Sequence, residues 1–311
     1  MERPLVSIVI PVYNGADYLK ETIESALAQT YERIEVLVIN DGSTDGGATA
    51  EIARSFGTRI RYYEKSNGGV STALNLGIEK MRGEWFSWLS HDDLYLPEKI
   101  EAQVRQLERL GPQAATTVLS CGTGFIDETG RSIYRPRKRV RGSFTSEEMF
   151  DHLLLDSCLS GCALLVPRRA LEEVGGFPMT YRYIQDWICW IEIALAGYSF
   201  VVTTDKHVLS RVHAKQQTKR IAELAPLETA RFFERLLMRL SIEAEPSRRH
   251  IRTSFQALYR STDRGTQEDL FARFHGDAYL TKLEQFRWRV WSTLYHHLVT
   301  TYRGVVNFRY R

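Results

Sequence analysis

The sequence predicts an α/β protein: an open, mostly parallel sheet flanked by helices, followed by an all-helical C-terminal extension. Three observations predict it. Strand-sized apolar runs alternate with helix-period segments through roughly the first third of the chain. The connections between them are short, as in successive β-α units. From about residue 220 onward only the helical period recurs. The break near 215–222 divides the chain into 1–219 and 220–311. At 311 residues, 43% apolar and 25% charged, the composition is that of a globular protein with a sizeable core.

The elements follow in order. LVSIVIPV (5–12) is an unbroken, β-branched run, as a strand covered on both faces requires. Asp17 offers an N-cap to a helix whose Leu19, Ile23, Ala26 and Leu27 recur at helical spacing. IEVLVIN (34–40) is a second strand, DGSTDGG its turn, and a helix follows near 48–56. RIRYYE (59–64) is a third strand, KSNGG its loop, and the spacing predicts a helix over 70–81. WFSWLS (85–90) is a fourth strand. HDD follows it, then a helix from Pro97 to about Leu110, opened by a proline that a first helical turn tolerates.

Beyond residue 114 the rhythm loosens. AATTVLSCGTGFID reads as a strand or hairpin, 131–146 as a basic loop, 147–156 as a short helix and 163–167 as a strand. A helix over 185–197 stops at Gly197, and VVTTDKHVLSRVH supplies one or two final strands. The extension reads as helices over 222–241, 248–259, 267–274 and roughly 278–302.

Several classes are excluded. No apolar stretch approaches the ~18 residues of a membrane span. MERPLVSIVIPVYNG reads as a first core strand and not as a secretory signal. Cys121, Cys158, Cys162 and Cys189 are too scattered for a disulfide framework or a structural zinc, which predicts a reducing, cytoplasmic home. GTG at 122–124 lacks the third glycine and setting of a dinucleotide fingerprint, and no phosphate-cradling P-loop appears. The basic run RPRKRVRG (135–142) has one neighbouring aromatic and no nucleic-acid module, so nucleic acid is not expected as a partner. That run reads either as a loop meeting an anionic acceptor over the active site or as a solvated loop.

In open α/β sheets, ligands bind beyond the carboxyl ends of the strands. Polar residues stand at four of those ends: Asn14, Asp41, Asn67 and the pair Asp92–Asp93. Adjacent carboxylates after an apolar strand are costly unless something positive neutralises them. A hard divalent cation bridging diphosphate oxygens would do so. Otherwise Asp93 caps the following helix and Asp92 is solvated.

These residues carry a family resemblance. SIVIPVYNGADYLKETIESALAQTY (7–31), VLVINDGSTDGG (36–47), NGGVSTALNLGI (67–78), WLSHDDLYLPEKI (88–100) and GGFPMTYRYIQDWICWIEIALAGY (175–198) resemble, in this order, family 2 glycosyltransferases of the GT-A fold. The likeness covers about residues 4–215. It implies an inverting transferase fed by a nucleoside-diphosphate sugar, UDP favoured. It further implies that Pro11, Val12 and Asn14 line the base and ribose, that Asp41 contacts the base, and that Asn67 and Gly69 sit by the nucleotide. Asp92 falls on the last acid of the metal-binding DxD motif, with Mn²⁺ or Mg²⁺ as cofactor, and Asp93 lies by the donor sugar. Asp186 falls on the general base, and His213 stands where many relatives have a histidine near the diphosphate or metal.

Two positions depart from the pattern. Ser90 replaces the first acid of the DxD motif, and Gln185 replaces the acid that commonly precedes the base. They leave open a second reading, a nucleotide-sugar-binding protein without turnover. The expected acceptor is a glycan or lipid-linked glycan of surface polysaccharide synthesis. Residues 220–311 carry 16 Lys and Arg against 10 Asp and Glu, and 286–311 contain no acid. On a helix, Trp288, Trp291, Tyr295, Leu298 and Tyr302 track one face. This pattern suits docking on an anionic bilayer at the inner membrane face, or packing against another helix or in a homo-oligomer.

Overall fold

The computed structural model describes residues 3–135, 140–156, 159–242 and 248–274. The elements in chain order are β1 (Val6–Val12), α1 (Leu19–Leu27), β2 (Ile34–Asn40), α2 (Ala48–Ser55), β3 (Arg61–Glu64), α3 (Val70–Lys80), β4 (Trp85–Trp88) and β5 (Leu94–Tyr95). There follow α4 (Lys99–Leu110), β6 (Thr117–Asp127), β7 (Ser132–Ile133), β8 (Gly142–Phe144), α5 (Ser146–Asp156), β9 (Leu164–Pro167), α6 (Arg168–Val174), α7 (Gln185–Leu195) and β10 (Ser199–Val212). Last come α8 (Gln217–Arg220), α9 (Ala225–Ile242), α10 (Arg248–Ser261) and α11 (Arg264–Arg273). Cys158, four residues of the basic run and the 286–311 segment lie outside the described residues.

The strand order is β3-β2-β1-β4-β9-β6-β10-β5, with β7 added to β6 and β8 to β10. The long ladders are parallel: β1 with β2 and β4, β2 with β3, and β6 with β10. Strand β9 runs antiparallel between β4 and β6. All seven residues of β1 are buried because it lies between two strands with helices on both faces, which accounts for its unbroken apolar run. Helix α3 packs so closely on it that a Cβ at Gly77 would stand 2.3 Å from Val9 Cγ1. Sequence order reverses at β1, which places a crevice beyond the carboxyl ends of β1 and β4.

The structure corrects several local expectations. Helix α1 opens at Tyr18 without a side-chain cap, because the Asp17 carboxylate is taken by Lys215 Nζ at 2.7 Å. Helix α4 starts at Lys99 instead of Pro97, whose carbonyl accepts the amide of Thr30 at 2.9 Å. Of the alternatives left open, 117–127 take the single strand, and 199–212 form one long partner for it. That ladder is irregular between Val202 and Val208. The bulge passes so near Gly122 that a Cβ there would lie 2.3 Å from Thr204 O. Strands β7 and β8 fall within the segment expected to be a basic loop.

The chain divides into two compact units, Met1–Leu153 with Ser157–Ala222, and Leu154–Asp156 with Glu223–Arg311. In the second, Phe232, Phe233, Leu236, Leu237 and Leu240 of α9 and Ile251, Phe255 and Leu258 of α10 are buried. Phe255 meets the Phe271 ring at 5.6 Å, and Asp263 caps α11 by accepting the Thr266 amide at 3.0 Å. Among the described residues no helix is long and apolar enough to cross a membrane. Cys121, Cys162 and Cys189 are free and buried.

Candidate active site

Strands β1 and β2 end side by side, the Asp41 amide donating to the Val12 carbonyl at 2.8 Å. Pro11 and Val12 are buried, and the chain then turns at Asn14, whose φ of 50° lies in the left-handed region that asparagine tolerates. Asn14 locks the turn to the β2 loop: its Oδ1 accepts the Thr44 amide at 2.7 Å, and its backbone N–H donates to Ser43 Oγ at 2.9 Å. Asp41 is buried, and its carboxylate organises the loop after β3. Oδ1 receives Lys65 Nζ at 2.5 Å and the Gly68 amide at 3.0 Å, while Oδ2 receives the Gly69 amide at 2.7 Å. Gly69, at φ 88°, turns the chain into α3 with open space where a Cβ would point. Asn67 is exposed on the same loop.

The loop after β4 reaches the same crevice. Proximity of the His91 ring to Gly15 leaves no room for a Cβ there, and the ring bonds to the Pro11 backbone. Its desolvation holds the imidazole below its ordinary pKa. Asp92 Oδ2 lies 2.9 Å from His213 Nε2, both side chains being largely buried. His213 closes β10, so the pair joins segments remote in sequence. Asp93 points inward: Oδ1 accepts the Arg211 amide at 2.8 Å, and Cys162 Sγ donates to Oδ2 at 3.3 Å. Burial, and secondarily the charge of Asp92, push Asp93 up to about 7. Ser90, in the place of an acid, sits against Cys162, Oγ to Sγ 3.3 Å.

Asp186 stands in the first turn of α7, where Oδ1 accepts the Trp187 amide at 2.8 Å. That helix is tied to β4 through aromatic contacts. Trp190 meets Phe177 edge-on at 5.5 Å, and Phe177 meets Trp88 at 5.9 Å. Phe177 is itself held by Asn75 of α3, through bonds of 2.8 Å to its amide and carbonyl. Trp190 is therefore core, and Trp187 donates its indole N–H to the Leu153 carbonyl at 2.7 Å.

Asp92 and His213 offer one carboxylate and one imidazole, and His213 Nδ1 is buried without a partner among the described residues. Among the described residues no group of three or more His, Cys, Asp or Glu side chains is arranged to hold a metal. The two-residue donor set fits a divalent ion that draws its remaining oxygens from diphosphate and water, and not one held by protein alone.

Comparison with known proteins gives the family and the fold. The family described as glycosyl transferase family 2 matches residues 7–175, more than half of the chain. The chain belongs to glycosyl transferase family 2. This family 2 chain is 44% identical over 223 residues to an uncharacterized glycosyltransferase of Rickettsia bellii (strain RML369-C), covering 70% of the chain and 31% of that protein. It is also 44% identical over 215 residues to one of Rickettsia typhi (strain ATCC VR-144 / Wilmington), covering 69% of the chain and 66% of that protein. The chain thus spans between about a third and two thirds of these relatives' length. Among solved structures, S. aureus TarS (residues 1–349) in complex with UDP-GlcNAc has a similar fold, with TM-score 0.64 at 16% identity, covering 93% of this chain and 79% of that one. The mannosyltransferase PcManGT from Pyrobaculum calidifontis, in complex with GDP-Man and Mn²⁺, gives 0.52 at 17%, over 96% and 86%.

Reading by strand ends missed three buried residues around this family 2 site. Arg211 supports the Asp92 loop. Lys99 lies beneath β4, donating to Ser87 Oγ and, at 3.1 Å, to the Leu164 carbonyl. Cys162 touches both Ser90 and Asp93. Their signal in the sequence is faint: a lysine on the apolar face of α4, and an arginine inside a strand.

Proposed function

We propose that the chain transfers a sugar, with inversion, from a nucleoside-diphosphate sugar to a glycan or lipid-linked acceptor hydroxyl. The observation that carries this reading is the junction of the β1 and β2 ends with the Asp92–His213 pair in one crevice. The nucleotide-sugar complexes of TarS and PcManGT support the donor class. Pro11, Val12, Asn14, Asp41, Asn67 and Gly69 are assigned to the nucleotide, and Asp93 to the donor-sugar side. Three donors already occupy the Asp41 carboxylate, which leaves about one of its roughly four acceptor positions. One position matches the single N3–H of uracil or thymine and not the adjacent N1–H and N2–H donors of guanine, which favours UDP or dTDP over GDP.

Inverting transfer is one in-line displacement. An acceptor hydroxyl is a poor nucleophile at neutral pH, so Asp186 is assigned to accept its proton as the new bond forms. Asp92 and His213 would hold Mn²⁺ or Mg²⁺, which supplies positive charge to the departing diphosphate. The catalytic unit is 1–219. The basic extension 220–311 is read either as a surface that docks on an anionic membrane face, where a lipid-linked acceptor of surface polysaccharide synthesis would lie, or as a helical packing interface.

The test is thermal stability with UDP, GDP, dTDP and NAD, each with Mn²⁺ and with chelator. At 100-fold saturation a ligand adds about 2.7 kcal/mol, and each kcal/mol raises the midpoint roughly 2–4 °C in a domain of this size. A shift with UDP that shrinks with chelator is expected. A shift with NAD alone, or none, would overturn the donor-site assignment.

A further inference from the structure

Arg211 is a charged side chain with only 1% of its surface exposed, and the mechanism above gives it no task. It sits two residues before His213, on the last turnless stretch of β10. Its Nε donates to the Asp92 carbonyl at 3.0 Å. Nη1 reaches the carbonyls of Asp127 at 3.3 Å and Glu128 at 3.5 Å, and Nη2 donates to Glu21 Oε2 at 2.6 Å. The guanidinium also lies over the Tyr18 ring, 4.6 Å from its centroid. Tyr18 in turn packs against the His213 ring at 5.0 Å. One cation therefore touches Asp92 directly and braces His213 through a shared aromatic ring.

We propose that Arg211 is a positioning residue that holds Asp92 and His213 against each other in metal-binding geometry. Burying a guanidinium is costly unless its fork is satisfied, and here its acceptors come from α1, the Asp92 loop and the end of β6. A planar fork fixes those three segments at once, whereas a lysine ammonium is a point charge that meets fewer of them. Thr22 Oγ1 holds the His91 and Asp93 carbonyls on either side, at 2.8 and 3.0 Å, and Arg211 holds the Asp92 carbonyl between them. The inference rests on the proposed donor site.

The experiment uses the full chain, with Arg211→Lys and the milder Glu21→Gln, which removes the carboxylate at the outer end of the fork. UDP affinity is measured by calorimetry with Mn²⁺ and with chelator, beside circular dichroism and the melting midpoint. In folded Arg211→Lys the gain in UDP affinity from Mn²⁺ should fall roughly tenfold or more, as for other groups that orient metal ligands. Affinity in chelator should stay within about twofold, a split that general loss of structure would not produce. Glu21→Gln should lower the Mn²⁺ gain less, and it decides the matter if Arg211→Lys does not fold. An undiminished Mn²⁺ gain in the folded variant would overturn the proposal. Wild-type chain that binds UDP with no Mn²⁺ gain would overturn the metal reading, and this role with it.

Discussion

His213 Nε2 and Asp92 Oδ2 lie 2.9 Å apart although 121 residues separate them in the chain. One closes β10 and the other lies in the loop between β4 and β5, and the contact follows from β5 pairing antiparallel with β10, Leu94 against Leu209. If this pair anchors a divalent ion, His213→Ala and Asp92→Asn should each cost at least as much Mn²⁺ affinity as the roughly 10–100-fold that losing an outer-shell partner costs. Titrating Mn²⁺ into UDP-saturated protein would measure it. Variants that respond to Mn²⁺ like the parent would remove the pair from the metal site.

Asp186 offers a cleaner separation of chemistry from binding. Asp186→Asn keeps the shape and its bond to the Trp187 amide while removing the base. Turnover should drop roughly 10²–10⁴-fold, with UDP affinity unchanged. Steady-state rates and calorimetry on one preparation decide it. Retained turnover would assign the base elsewhere, and parent protein that binds but never turns over would favour the binding-protein reading.

Asp93 makes a prediction about pH. Its carboxyl is raised from 3.8 to about 7 in the folded protein, chiefly by burial. Between those values the native state keeps a proton that the unfolded chain has shed, so stability falls as pH rises through the window. Asp93→Asn lacks that slope. Denaturant melts from pH 4 to 7 should show the parent losing stability relative to the variant, by at most roughly 4 kcal/mol. Parallel curves would show that Asp93 is charged in the fold.

Lys99 runs with the opposite sign. Burial lowers its ammonium from 10.5 to about 8. Between pH 8 and 10.5 the unfolded chain binds the extra proton, so this group's contribution improves as pH rises. Lys99→Met has no such gain. The stability difference should therefore shift toward the parent across that window, by about 3 kcal/mol. A constant difference would count against the lysine losing its charge there.

Much of the architecture was written in local pattern. The run 5–12, the strand 34–40 and the helical spacing over 70–81 each report burial of their own residues, and burial repeats with the period of the element. Asn14, Asp41 and the Asp92–Asp93 pair were visible as polar residues where apolar runs stop. Short features were not legible: the two-residue β5, and α6, a helix of seven residues, give too few positions for a period to show. Asp17 shows no such signal, because a carboxylate before a helix looks the same in sequence whether it caps the helix or meets Lys215.

The sequence alone thus determined the class of fold, the order of its strands' polar ends and the family to which the chain belongs. All three depend on residues near one another in the chain. Tertiary structure alone decided that Asp41 is held by Lys65 and two loop amides, that Asp93 turns inward to Cys162, and that Arg211 lies buried between Glu21 and Asp92. The physical reason is that a buried charge is tolerated only beside its partners, and those partners are chosen by strand pairing across the sheet.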